Sequence, residues 1–157
     1  MEIERKWRIE GFPQGLPEVE RALMEQSYLC THPTVRIRKK ERAGRQSFRL
    51  CIKGEGGLVR EEVELELPEE TYLRLLALVK GDPIRKDFRV YALPDGHRLE
   101  CSLVDAGSPQ AFYYAEVEFD SEEEAMAFQP PACLGEELTG RPGESMAAYW
   151  ARTREKV

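Results

Sequence analysis

The stretch Glu2-Ile3-Glu4-Arg5-Lys6-Trp7 (EIERKW, residues 2–7) lies directly behind the first methionine. Side chains of a β-strand alternate between its two faces. Read as a strand, the stretch sets Glu2, Glu4 and Lys6 on one side and Ile3, Arg5 and Trp7 on the other. A solvated face carries such charges at little cost, whereas a face turned into an enclosed space needs each charge met by a partner. The choice depends on whether other strands repeat the pattern.

They do. TVRIRKK (34–40) sets Arg36 and Arg38 opposite Val35 and Ile37, and SFRLCIKG (47–54) sets Arg49, Cys51 and Lys53 opposite Phe48, Leu50 and Ile52. LVREEVELEL (58–67) sets Arg60, Glu62, Glu64 and Glu66 against Val59, Val63, Leu65 and Leu67. In PIRKDFRVYAL, Arg85, Asp87 and Arg89 oppose Ile84, Phe88 and Val90. HRLECSLVD sets Arg98, Glu100 and Ser102 opposite Leu99, Cys101 and Leu103, and in AFYYAEVEFD Glu116 and Glu118 oppose Val117 and Phe119. QSYLCT (26–31) completes a set of eight expected strands. ERAGR and Pro94-Asp95-Gly96 read as hairpin turns. Helices are expected over PEVERALMEQ (17–26), PEETYLRLLALVKG (68–81), SEEEAMAFQ (121–129) and GESMAAYWARTREKV (143–157), the third with Ser121 as N-cap and Glu124 completing a capping box.

The 157 residues, 41% hydrophobic, suit one globular domain spanning 1–157 with no linker or repeat. A formal charge of -6 argues against a nucleic-acid binder. Cys30, Cys51, Cys101 and Cys133 are scattered, as in a cytoplasmic protein with reduced thiols, and His32 and His97 are too few for a histidine metal site. No apolar run is long enough to span a membrane.

Every apolar strand face needs cover, which the helices supply from one side. An open sheet would leave the charged faces in water, and a closed barrel would gather them inside. Composition favours the barrel, because the charged faces are mostly Glu and Arg where a solvated face would mix in Ser, Thr and Gln. The fork of an arginine grips phosphate oxygens and keeps its charge when desolvated. Glutamates at i and i+2 offer paired oxygen ligands suited to Mg2+ or Mn2+. Carboxylates for a hard cation beside Arg and Lys for a polyanion are the two halves of a phosphoryl-transfer site.

In order, EIERK, QSYL, VRIR, LCIKG, REEVELEL, EVEF with SEEEA, and GEELTGR resemble the CYTH superfamily, the triphosphate tunnel metalloenzymes, over nearly the whole chain. The resemblance implies an α+β fold, an eight-stranded antiparallel closed barrel with a charged lumen and helices packed outside. It implies Glu2, Glu4, Glu116 and Glu118 as metal ligands, and Glu2, Glu4, Lys6, Glu62 and Glu64 as catalytic residues. Lys6, Arg36, Arg38, Lys53 and Arg60 would hold phosphates. So would a basic residue of the sixth strand, Arg89 first, with Arg85 and Lys86 as alternatives. Three departures stand out: Ser102 where the family often has an acid, Cys51 where Thr is common, and no aromatic in GRPGES (140–145). Glu137 and Arg141 read as a salt bridge securing the tail.

The implied activity is divalent-metal-dependent hydrolysis of a small triphosphate or polyphosphate by a cytoplasmic monomer or homodimer that binds neither nucleic acid nor membrane. Two alternatives are a class IV adenylate cyclase and a non-catalytic polyphosphate or nucleotide sensor.

Overall fold

A computed structural model describes residues 1–155; Lys156 and Val157, the end of the expected tail helix, lie outside the described residues. The strands are β1 Glu2–Ile9, β2 Glu18–Thr31, β3 Thr34–Arg42, β4 Arg45–Lys53, β5 Val59–Arg60, β6 Glu62–Glu66, β7 Ile84–Ala92, β8 Arg98–Val104 and β9 Phe112–Glu118. The helices are α1 Glu69–Leu76, α2 Glu122–Ala127 and α3 Met146–Arg154. All strand pairs are antiparallel, in the order β5-β1-β9-β8-β7-β2-β3-β4-β6. The two ends of that order are neighbours in sequence, separated only by Glu61. The segment 59–66 therefore leaves β4, bends, and reaches β1, where Arg60 faces Glu2. That bend nearly closes the sheet into a barrel and turns the eight expected strands into nine. Beyond β5, backbone bonds from Gly135 to the Arg8 carbonyl and from Leu138 to the Lys6 carbonyl line the other edge of β1.

Hairpin chemistry fixes the register between β3 and β4. Ala43 and Gly44 both have positive φ, 50° and 77°, and form the two-residue turn that pairs Arg42 with Arg45. Two consecutive positive-φ residues match the right-handed twist of the flanking strands.

Two local expectations are corrected. PEVERALMEQ is rich in helix formers, yet residues 18–26 are the first part of the 14-residue strand β2. This segment lies between β7 and β3 and pairs with both, as in Arg21↔Arg89 and Gln26↔Arg38. A helix here would leave both neighbours with unpaired edges, and that demand overrides intrinsic propensity. The second correction concerns β7, whose faces are inverted relative to the expectation. Lys86 and Phe88 point into the barrel, whereas Arg85, Asp87 and Arg89 point out. Among the described residues no helix packs mainly on β7, and Arg85, Asp87 and Arg89 hold its outer side with ion pairs and stacking. Arg89 pairs with Asp87 at 3.0 Å and stacks 3.9 Å from the Phe12 ring centroid, and Arg85 pairs with Glu25 at 3.2 Å. The displaced apolar side chains Ala22, Met24, Phe88 and Val90 cluster together on the opposite face of the β2–β7 wall.

On β1, β3, β4 and β9 the apolar faces point outward beneath α1 and α2, as the alternation implies, whereas α3 packs on inward-facing side chains at one end of the barrel. Tyr72 of α1 is buried on Ile37 and Phe48. Ala125 of α2 and Phe128 pack on Trp7, Val117 and Phe119. Helix α3 sets Met146, Tyr149 and Trp150 against Tyr28, Ile84, Val104 and Tyr114 across one end of the barrel. Asp105 anchors it, accepting from Tyr149 at 2.5 Å and pairing with Arg154 at 2.8 Å. The tail is secured by different pairs from the one expected: Glu137 takes Arg5 in a two-pronged bridge at 2.7 and 2.9 Å, and Arg141 pairs with Glu136.

Candidate active site

The barrel encloses a cavity of about 1230 Å³. Of the residues expected in the site, Glu2, Glu4, Lys6, Arg36, Arg38 and Lys53 line it, as do Arg60, Glu62, Glu64, Lys86, Glu116 and Glu118. Arg85 and Arg89 do not, because the inverted parity of β7 carries them to the outer surface.

Strand register brings the carboxylates together. Glu4 of β1 faces Glu118 of β9, and Glu116 of β9 lies between Lys6 of β1 and Glu100 of β8. Burial, followed by the charge of Glu116 and a hydrogen bond with it, holds the Glu4 carboxyl well above its usual range. Glu116 moves the other way despite its burial, held down to about 2 by the Glu4 hydrogen bond and by Lys6, Lys86 and Lys53. The pair thus shares a proton, with the charge on Glu116. Burial and the charges of Glu116 and Glu118 push Glu100 up to about 7. Glu118 is raised too, by burial and then by Glu2 and Glu64. Among the described residues, none of these four carboxylates has a basic group within 4.0 Å. Raised carboxyl groups crowded together in this way need positive charge.

The cations divide into two groups. Lys53 donates to both oxygens of Glu2 at 3.0 Å and lies 3.4 Å from Glu62, Arg49 bonds Glu64 at 2.7 Å, and Lys40 bonds Glu20 at 2.9 Å. Lys6, Arg36, Arg38 and Lys86 have no such carboxylate among the described residues. Lys6 donates to the Glu144 carbonyl at 2.6 Å, and Lys86 to the Tyr114 hydroxyl at 2.5 Å. The Nε of Arg36 is buried with no partner at all. Burial pulls Lys6 down, and burial with Arg36 close by pulls Lys86 well below the ordinary lysine range. Desolvated cations left without counter-charge call for an anion.

Several lining residues escaped sequence reasoning. Glu20 and Lys40 follow from β2 being a strand and from extending the parity of β3 by one more step. Glu20 draws Lys40, Arg42 and Arg98 to within 3.4 Å, and although burial opposes it, they hold its carboxyl below the usual value. Glu100 and Arg98 share the parity of Ser102 and were legible as a face, though not as a cluster with Glu116. Tyr28 and Tyr114 carried no signal, because an aromatic at a strand position reads as core.

The carboxylate group suits a divalent cation on its donor chemistry, offering oxygen ligands only and sharing a proton that a cation would displace. Among the described residues, the set of three acidic or thiol donors whose atoms already lie within 4.8 Å of one another is a different one, Cys51, Glu62 and Glu64. Its two carboxylates already hold Lys53 and Arg49, so the Glu4–Glu116 group is the poorer in counter-charge.

No protein-family model matches the chain. The inorganic triphosphatase of Nitrosomonas europaea is 37% identical over 138 residues, covering 88% of this chain and 89% of that protein. The crystal structure of an inorganic triphosphatase superposes with a TM-score of 0.63 at 27% identity, over 95% of this chain and 93% of the other. A putative adenylyl cyclase from Hippeastrum, described as revealing a dominant triphosphatase activity, shares the fold with a TM-score of 0.64 at 18% identity, over 80% and 83%. A nearly closed antiparallel barrel, an ionic lumen and a relative of this identity over nearly its full length together place the chain in the CYTH superfamily, among the triphosphate tunnel enzymes.

Proposed function

We propose that the chain is a divalent-metal-dependent triphosphatase that hydrolyses inorganic tripolyphosphate or another small triphosphate inside the barrel. One observation carries the reading: among the described residues, the cavity-lining cations Lys6, Arg36, Arg38 and Lys86 have no carboxylate within 4.0 Å, and across the same cavity the enclosed Glu4, Glu100 and Glu116 and the more exposed Glu118 have no basic group within that distance. A triphosphate with Mg2+ or Mn2+ supplies both missing charges at once. The relative named inorganic triphosphatase supports the same substrate class.

Arg36, Arg38, Lys6 and Lys86 would take the phosphate oxygens, Arg36 through the donor that now lacks a partner. Glu4, Glu116, Glu118 and Glu100 would hold the metal, and Glu2, tied to Lys53, would border it. The bound cation would draw charge from the terminal phosphoryl group. With tripolyphosphate, water attacks that phosphorus as the bridging P–O bond breaks, phosphate forms with loss of the water's proton to solvent, and pyrophosphate leaves with the bridging oxygen; an organic triphosphate would release its diphosphate in the same way. Basic side chains fixed in advance around the chain of phosphates stabilise the spread charge of that transition state. Lys53, bonded to Glu2 and close to Glu62, links the two ionic halves. We place this activity in the cytoplasm, where the four free cysteines stay reduced, and propose that residues 1–157 form one such domain.

Phosphate release from tripolyphosphate, nucleoside triphosphates and thiamine triphosphate, each with Mg2+ and with Mn2+, tests the reading. Release from at least one triphosphate, abolished by chelation, is expected. Cyclic AMP as the main product from ATP would transfer the chain to the cyclases, and binding without turnover in either metal would make it a sensor.

A further inference from the structure

Tyr114 is 2% exposed, and its ring is wedged into the apolar cluster beneath α3, with Tyr28, Ile84, Val104, Met146, Tyr149 and Trp150 around it. Its hydroxyl reaches the cavity, where it accepts a hydrogen bond from the Lys86 Nζ at 2.5 Å, the one hydrogen bond of that ammonium among the described residues. The Lys6 Nζ, arriving from β1, lies 4.5 Å from the centroid of the same ring. One rigid side chain thus locates two flexible lysines from different strands, one by its hydroxyl and the other by its π face. Among the described residues neither lysine has a carboxylate within 4.0 Å, although Glu116 stands next to Lys6 in the β1–β9 ladder.

Holding a lysine with a neutral group differs physically from holding it with an acid. A carboxylate would fix Lys86 and also cancel its charge, whereas a phenol fixes it and leaves the demand for an anion open. Ser102, which faces Tyr114 across the β8–β9 ladder, adds no charge of its own there, so the negative charge felt by Lys86 comes from Glu116, beyond salt-bridge distance.

We propose that Tyr114 is a positioning residue for triphosphate binding: it sets Lys6 and Lys86 at the spacing that receives phosphate oxygens, and it acts on the substrate only through them. The proposal rests on the triphosphatase reading of the cavity. It also gives the Ser102 position a consequence, since an acid there would draw Lys86 away from the substrate.

The test is a double-mutant cycle in tripolyphosphate hydrolysis with Mg2+, using wild type, Tyr114→Phe, Lys86→Ala and the double variant. Tyr114→Phe keeps the ring over Lys6 and removes only the hydroxyl. It is expected to raise KM about fivefold to tenfold and leave kcat within about twofold. In the Lys86→Ala background the same change is expected to alter KM by less than about twofold, because the residue it positions is gone. An unchanged KM for Tyr114→Phe, or an equal fold-change in both backgrounds, overturns the proposal. If Tyr114→Phe does not fold, Ser102→Asp replaces it: a KM raised about fivefold or more supports the proposal and an unchanged KM overturns it. Should wild type release phosphate from no triphosphate, the triphosphatase reading falls. The cycle is then run by calorimetry with tripolyphosphate alone, where the same pattern in Kd decides the role of Tyr114.

Discussion

Burial and mutual repulsion hold the Glu4 carboxyl well above its usual range while its hydrogen bond and the nearby lysines hold Glu116 low, so the pair favours one proton between them and would gain from added positive charge. Replacing Glu4 with Gln retains the hydrogen bond, removes a ligand oxygen and relieves crowding. Glu4→Gln is expected to lower kcat for metal-dependent phosphate release by about 100-fold or more. Its melting temperature should stay equal to wild type or rise by about 1–3 °C. A large fall in melting temperature would instead make Glu4 a structural residue. Among the cations the contrast lies between inside and outside. Arg36→Ala removes from the cavity a guanidinium whose buried Nε has no partner and should raise KM for tripolyphosphate by about tenfold or more. Arg89→Ala removes an equally basic residue stacked on Phe12 outside the barrel, and its KM should stay within about twofold of wild type. Equal effects of the two substitutions on KM would refute the placement of the β7 side chains.

Alternation along the strands carried most of the architecture, because a period of two survives wherever one face is charged and the other is covered. It predicted the inward faces of β1, β3, β4, β6, β8 and β9, and with them nearly all the ionic side chains of the site. It failed where that contrast breaks down. On β7 both faces mix charge with apolar groups, so Ile84, Lys86, Phe88 and Val90 form the true inner set against an intuition that puts apolar residues outside. On β2 the local composition favours helix, and only pairing with two distant strands decides otherwise. The cluster of Glu100 with Glu116 depends on cross-strand register, which no single strand encodes. Helix boundaries were simpler: Ser121 Oγ accepts from the Glu124 N–H at 3.1 Å, as the capping box requires. The second half of that box differs, since Glu124 reaches back to the Asp120 N–H at 3.3 Å and also lies 2.6 Å from His97 Nε2. His97 thereby joins the β7–β8 turn to α2, and its Nδ1 lies 2.8 Å from Asp95, near enough for an ion pair though not aligned as a hydrogen bond. Asp95, ahead of an opposing burial effect, and then Glu124 raise the His97 pKa on folding. A raised pKa stabilises the fold fully below the unfolded value and loses that contribution as pH climbs through the folded value. Because Asp95 and Glu124 are both more than a third exposed, the link is worth only about 0.2–1 kcal/mol. His97→Gln should therefore lower the melting temperature by about 1–3 °C at pH 5.5 and by a smaller amount at pH 9. A difference that grows with pH would reverse the assignment.

At the scale of the whole barrel, the ionic groups sort into pairs that are already satisfied and two sets that are not, one of each sign, in the same enclosure. The satisfied pairs, Lys53–Glu2, Arg49–Glu64 and Lys40–Glu20, brace the wall, while the unsatisfied sets hold like charges together at a cost to folding. A ligand that supplies both missing signs should stabilise the fold by more than either component alone. Tripolyphosphate without metal would quiet Arg36, Lys6 and Lys86 yet press negative charge onto Glu116 and its neighbours. Mg2+ without phosphate would relieve the carboxylates and leave the buried cations as they were. With both present at about 100 times the dissociation constant, binding contributes about 2.7 kcal/mol, a rise of roughly 5–10 °C in melting temperature for a chain of this size. Thermal melts of the inactive Glu116→Gln chain will not serve, because that substitution alters one of the sets. Arg89→Ala and wild type, melted with tripolyphosphate and Ca2+ or Mg2+ at low temperature ramps and with pyrophosphate as a short-chain control, give the comparison directly. The combined shift should exceed the sum of the separate shifts and persist in part at 0.5 M salt, roughly where exposed pairs are screened but enclosed ones are not. A combined shift no larger than the greater of the two separate shifts would mean that cation and anion do not meet in one cavity.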